Sequence, residues 1–371
     1  MLLWHHIVCL FSPDTLVSCN RNRKIAAVLT DGLRITAVAC LLVTGTAASF
    51  GESHKLARLS GTPETDQFAL WIFLAGLLVG GLLSDRFGVR VATGTATLLL
   101  AIGVLALTGE AGFACLMLGG GIALAVANGL ASTLDPVAAG RWLNFIHAFY
   151  RGGTLAFGLL LLPIGITAQM GTLFAVAALV LMFWTMDGRS ELVLGDLEAQ
   201  SVSSWPVAAV LPLLFLAGAS ELWAAHHMIV SLSSDQPNIV LWIALAMVVG
   251  RIAASTQVFS GYRQVLVCSA VTAAGLWFFD ALSGNARLLM ALIVAFSSSS
   301  IFPSVLGLMA GRSPRFAASL LAVGQCTVML AAPLAGAFAS FAIVPPLALT
   351  IIIAASWFRL DPWNFGRRYP G

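Results

Sequence analysis

GLLSDRFGVR, from Gly81 to Arg90, lies at the junction of two apolar runs, 67–84 and 91–109. Gly81 offers no side chain and permits close approach of a second helix. Gly88 lets the chain reverse within a short loop. Arg86 and Arg90 hold that loop on the cytoplasmic side of a membrane. Asp85 falls at the C-terminus of its own helix, where a negative charge is unfavourable. It therefore needs a partner elsewhere, either the N-terminus of another helix or an arginine. Far along the chain, Arg312-Ser313-Pro314-Arg315 has the chemistry of a helix start, with Ser313 as N-cap and Pro314 in the first turn. Asp85 is expected to dock near it, as a latch between distant parts of the chain. The plainer reading is a charged loop that only sets topology.

The composition around this stretch is that of a membrane protein. The 371 residues are 59% hydrophobic and 9% charged, with a mean hydropathy of +0.94. A soluble domain carries about 25% charged residues, and without charge no water-facing surface can be built. A helix of about 20 apolar residues crosses a bilayer core of about 30 Å. The alternation that marks a transmembrane β-barrel is absent. The expected fold class is all-α, a polytopic membrane protein. A net charge of +3 with no block of basic residues gives no sign of nucleic-acid binding. Cys9, Cys19, Cys40, Cys115, Cys268 and Cys326 form no C-x-x-C pair and are expected to be packing residues, with no disulfide framework, metal site or cofactor.

Twelve spans are expected: 33–51, 67–84, 91–109, 111–133, 143–165 and 167–186, then 206–231, 237–257, 262–281, 286–310, 315–338 and 339–357. The longest polar stretch, with Asp187, Arg189, Glu191, Asp196 and Glu198, reads as a linker over 187–205. It separates a six-helix half at 25–186 from a second at 206–357, with tails at 1–24 and 358–371. Met1–Phe11 is apolar but too short to span, and lacks the basic start of a signal peptide. An over-extended start site is one reading of it. With the N-terminus in the cytoplasm, thirteen Lys and Arg residues fall on the inner side and three, Lys55, Arg58 and Arg287, on the outer. That bias places both termini in the cytoplasm.

Three landmarks recur at one offset. Gly80 matches Gly250, Ala139-Gly140-Arg141 matches Ala310-Gly311-Arg312, and Pro163 matches Pro333, each 170 or 171 residues on. Together they suggest two parallel copies of a six-helix unit. Such copies, rocking about a cavity at the bilayer midplane, provide alternating access.

The opening stretch resembles the signature loop of the major facilitator superfamily, G-x-L-[AS]-D-R-x-G-x-[RK]. Gly81, Leu83, Ser84, Asp85, Arg86, Gly88 and Arg90 match its fixed positions, and it falls between the second and third spans as in that family. The resemblance implies the major facilitator fold: twelve transmembrane helices in two pseudo-symmetric six-helix bundles. It also implies a latch that stabilises the outward-open state. Asn144-Phe145-Ile146-His147-Ala148-Phe149-Tyr150 and Ile301-Phe302-Pro303 resemble stretches of the fifth and tenth spans of fucose-permease-like members. Two departures stand out. Arg151 occupies a position where those members have Gly, and the first and fourth spans lack the central carboxylates of fucose permease. Sugar as substrate and proton coupling both stay open.

Ionisable residues at membrane depth are costly and are functional candidates by default. His147 and Arg151 share one face of the fifth span. Arg151 cannot deprotonate and needs an anion. Glu221, on the seventh span, is the carboxylate nearest mid-depth. An Arg151–Glu221 pair across the cavity, opened by substrate or proton, is one reading; a permanent structural pair or two unrelated sites are the others. Glu221, in a desolvated setting, is the candidate proton-coupling group. His147 would relay a proton, bind substrate or simply pack. Ser297–Ser300, in particular Ser298, with Asn128 and Gln325, would bond a solute or a neighbouring helix. Trp223 and Trp242 would stack on a ligand or anchor at the interface. His226 and His227 read as interfacial. Arg251 is assigned with Gly81, Asp85, Arg86, Gly88, Arg90 and Arg312 to the cytoplasmic latch.

No nucleotide-binding motif is present, and the dispersed histidines do not form a metal-enzyme site. The expected function is secondary transport of a small solute, with protons as a coupling candidate, by a monomer in a bilayer, most naturally a bacterial inner membrane. A sensor or assembly factor built on a transporter-like fold is the alternative.

Overall fold

The computed structural model describes residues 63–105, 110–134, 139–156, 207–236, 238–256, 261–310 and 317–359. The first and sixth expected spans, the linker 187–205, the N-terminal tail, the C-terminal tail from 360 on and Arg312 lie outside them. Regular structure among the described residues is entirely helical. Before the linker stand α1 (Pro63–Phe87), α2 (Val89–Leu105), α3 (Glu110–Leu134) and α4 (Ala139–Ala156). After it come α5 (Val207–Leu232), α6 (Ile239–Ser255), α7 (Gly261–Phe279), α8 (Gly284–Ser298), α9 (Ile301–Ala310), α10 (Ala317–Met329), α11 (Ala335–Phe338) and α12 (Val344–Arg359).

Among the described residues, five helical stretches are long and apolar enough to cross a membrane: Phe68–Phe87, Glu110–Ser132, Val210–Leu232, Gly261–Phe279 and Gly284–Ala310. The pair Ala335–Phe341 and Val344–Ser356, bent by 66°, makes up to a sixth. Val89–Gly103, Ile239–Ser255 and Ala318–Met329 are shorter apolar helices. Large apolar side chains stand on the outer surface, among them Trp71, Leu82, Leu98 and Trp277. Lipid accepts such a surface and water does not. Among the described helices α4 is the most polar, with Arg141, Asn144, His147 and Arg151 in eighteen residues.

Three details of the helices differ from expectation. The GLLSDRFGVR stretch is helical through Phe87, and the corner between α1 and α2 is Gly88 alone, at φ 85°. A left-handed backbone there is what glycine allows. The tenth expected span is interrupted between Ser298 and Ile301. The eleventh, expected to reach 338, ends at Met329. Pro333 has no N–H to continue the ladder to Met329, whose carbonyl instead accepts Ala332 N–H at 3.0 Å.

Small residues decide which helices touch. A side chain at Gly76 or Gly121 would collide with the facing backbone, so α1 and α3 cross closely there. Gly80 meets Ile122 of α3, and Gly250 meets Phe296 and Ser299 where α6 packs on α8. Gly80 and Gly250 thus each sit at a close helix crossing. Gly81 faces Ser319 and Ala322 of α10. Gly140 of α4 and Gly307 of α9 lie backbone to backbone. The two parts of the chain meet where α1 and α3 pack on α10 and where α4 packs on α6 and α9.

Candidate functional site

At the end of the bundle marked by Gly88, Asp85 joins the two parts of the chain. Its Oδ1 accepts the N–H of Ala318 at 3.2 Å and its Oδ2 that of Ser319 at 2.8 Å. These are free donors of the first turn of α10, and a carboxylate is favourable beside them. The docking point lies a few residues beyond the expected Arg312–Arg315 start. Arg86 and Arg90 are exposed. On the same side, Asn144 Nδ2 donates to Ser304 Oγ at 3.0 Å and to Gly140 O at 2.8 Å, tying α4 to α9. Gly81, Gly140 and Gly307 let the backbones close around these bonds.

Farther from Gly88, α4, α5 and α6 bring three charged side chains together. Glu221 Oε1 accepts Arg151 Nη2 at 3.0 Å and Arg251 Nη2 at 2.7 Å, and its Oε2 accepts Arg251 Nη2 at 2.8 Å. Arg251 also donates from Nε to Ser299 O at 3.0 Å and from Nη1 to His147 O at 2.9 Å. Its guanidinium lies 5.3 Å from the centre of the Phe302 ring. Arg251 is 1% exposed and uses every nitrogen; Arg151 is 32% exposed and makes one ion-pair contact among the described residues.

The Ser299 carbonyl is available to Arg251 for a local reason. In a continuous helix it would accept the N–H four residues on, but that residue is Pro303, which has none. Gly250 completes the arrangement by letting α6 lie against Phe296 and Ser299.

Arg251 is therefore not part of the latch to which the sequence assigned it. It sits near the C-terminal end of α6, yet helix side chains tilt toward the N-terminus of their helix. In α6 that direction leads away from the Gly88 end, and the long side chain reaches Glu221.

The three charged groups line a cavity of about 40 Å³, together with His147, Tyr150 and Gln325. Its apolar wall is Leu124, Gly218, Leu222, Phe302, Val328 and Met329. The His147 ring packs edge-on against Phe302 at 4.8 Å. His147 Nε2 and Gln325 Oε1 are buried with no hydrogen-bond partner among the described residues.

Other sequence candidates fall elsewhere. Asn128 is fully buried on α3, one turn from Leu124 toward the Gly88 end, and neither Nδ2 nor Oδ1 has a partner among the described residues. Ser297 bonds Thr272 and Ser300 bonds Cys268, joining neighbouring helices, while Ser298 bonds Ala295 O within its own helix. Trp223 is buried, donates to Ala331 O at 2.9 Å and stacks on Phe338. It is a packing residue, and Trp242 is exposed. His227 pairs with Asp280 at 3.2 Å. Tyr150 was not anticipated as a cavity residue; its place one helical turn from His147 was the available signal.

No protein-family model matches the sequence, and no curated protein does. Solved structures do. The major facilitator superfamily proton:xylose symporter XylE bound to 6-bromo-6-deoxy-D-glucose matches with a TM-score of 0.66 and 14% identity, covering 90% of this chain and 95% of that one. The human organic anion transporter MFSD10 matches with a TM-score of 0.62 and 17% identity, covering 88% and 99%. The E. coli fucose:proton symporter FucP matches with a TM-score of 0.61 and 12% identity, covering 88% and 98%. The fold is that of major facilitator superfamily transporters.

Proposed function

We propose that this protein is a secondary active transporter that carries a small solute across a membrane by alternating access. The halves 25–186 and 206–357, each of six helices, would rock about the cavity between them. The observation that carries this reading is the Arg151–Glu221–Arg251 cluster: three charges from both halves line one cavity where α4, α5 and α6 meet. Intramembrane charge is costly and persists where it serves a path or a switch. The Asp85 contact with α10 supports reading this conformation as closed on the cytoplasmic side. Both termini would then lie in the cytoplasm, with a bacterial inner membrane as the setting and a monomer as the working unit.

Glu221 is the proposed proton-coupling group. A proton on it would loosen its hold on Arg151 and couple protonation to the state of the cavity. Two of the similar structures are of proton symporters by name. The test is flux of a solute panel in proteoliposomes, with and without a pH gradient. Flux that responds to the gradient in wild type, and loses that response in Glu221→Gln, supports both parts. A pH response unchanged in Glu221→Gln removes the coupling assignment. No flux for any solute favours the alternative, a sensor or assembly factor of the same fold, which the small size of the cavity also fits.

A further inference from the structure

We infer that the site takes a short-chain organic monocarboxylate, with its carboxylate on Arg151; that such a molecule is carried across the membrane rests on the transport reading above. The first argument is charge. Among the described residues the cavity is lined by two arginines and one carboxylate. Arg251 is spent: it holds both oxygens of Glu221, its other nitrogens bond backbone carbonyls, and it is 1% exposed. The charge of Glu221 is matched by that partner. Arg151 is left as the surplus cation. Among the described residues it makes one ion-pair contact, at 3.0 Å, and it is 32% exposed. A guanidinium does not deprotonate in proteins, and its planar fork fits a carboxylate with two parallel bonds.

The second argument is size and lining. A cavity of about 40 Å³ favours a compact solute over a sugar ring. Beside it stand Leu222, Phe302, Val328 and Met329, which suit a short apolar body. The third argument is the buried acceptor that has no partner among the described residues, Gln325 Oε1. A buried acceptor in that state is costly until a donor arrives. A hydroxyl beside the carboxylate supplies one, so the preferred member of the class is a 2-hydroxy acid.

The probes are lactate, propionate, the neutral lactamide, glucose and chloride. They are offered to the purified full-length protein in detergent, with melting temperature and binding isotherms as readouts. Uptake of labelled lactate into proteoliposomes is measured in parallel. Lactate is expected to raise the melting temperature, propionate to bind less tightly, and lactamide to bind at least about tenfold more weakly than lactate, as loss of a charge-assisted pair requires. Arg151→Gln should lose lactate binding by a similar factor, with Arg151→Lys in between. Gln325→Leu should abolish the preference for lactate over propionate. Lactamide, glucose or chloride binding as well as lactate, lactate binding unchanged in a folded Arg151→Gln protein, or no binding of either acid would each overturn the inference. Lactate that binds through Arg151 but does not cross the bilayer leaves the site standing and overturns transport. Glucose flux that is indifferent to Arg151 does the reverse.

Discussion

Pro303 and Arg251 act on one carbonyl oxygen, that of Ser299: the proline withholds the N–H that would occupy it, and the arginine donates to it at 3.0 Å. A break in a helix, which is normally a loss, here supplies an acceptor that fixes the orientation of a buried guanidinium. In Pro303→Ala the restored N–H competes with Arg251 Nε for that oxygen. One hydrogen bond is worth about 0.5–1.5 kcal/mol, so solute affinity should fall by up to about tenfold. The backbone gains a helical bond in exchange, and the melting temperature should hold. Isotherms and thermal melts on the same preparation check this.

Removal of the two arginines should have unequal effects on stability. Arg251 is fully buried and saturated; Arg151 is a third exposed with one contact. Breaking a buried ion pair by deleting one partner costs about 3–5 kcal/mol. Arg251→Leu should therefore lower the melting temperature sharply, and Arg151→Gln should lower it much less. Equal destabilisation by the two would contradict the assignment of Arg251 as the fixed partner of Glu221.

Asp85 bonds two backbone donors at the start of α10. A charge at a helix N-terminus contributes about 0.3–1 kcal/mol, up to about 2 when partly buried. Asp85→Asn should weaken the closed end by that order. The buried seam near Ser304 would open more often. In a cysteine-free background, a cysteine at Ser304 should be labelled by a maleimide several-fold faster with Asp85→Asn than without it.

Gly81 and Gly94 give an internal comparison. A Cβ on Gly81 would come within 2.9 Å of Ser319 Cα and of Ala322 Cβ, whereas one on Gly94 would meet nothing within 4 Å. Overpacking costs about 1–3 kcal/mol. Gly81→Ala should destabilise by that amount or shift the protein away from the closed form. Gly94→Ala should be neutral or slightly stabilising, since glycine is about 0.5–1 kcal/mol worse than alanine inside a helix. Thermal melts of the pair separate the two effects.

Asn128 is buried with both amide atoms unpartnered among the described residues. Burying such a group costs about 1–3 kcal/mol. Asn128→Leu, of similar volume, should raise the melting temperature. If the amide faces the path of the solute in another conformation, flux should fall in the same variant. A rise in stability with flux intact would make Asn128 a passive resident of α3.

Much of this was legible in the chain. Apolar runs define helices because in lipid the backbone must satisfy itself, and the low charge leaves no other environment. Asp85 at the end of its own helix announces an unmet need, which α10 meets. Arg151 likewise announces a missing anion. What the chain did not disclose was that Arg251 is the principal partner of Glu221. Position along α6 gives the depth of its Cα, and the guanidinium lies elsewhere, because a long side chain tilts toward the helix N-terminus.

The sequence alone determined the helical, lipid-embedded character of the protein and the residues whose charge had to be answered, since both follow from local composition and the cost of desolvation. Only the tertiary structure decided which groups answer them. That Pro303 frees the oxygen Arg251 takes, that Glu221 is held from two sides, and that Arg151 keeps donors to spare are relations between helices distant in sequence. Packing fixes those relations, and no local pattern encodes them.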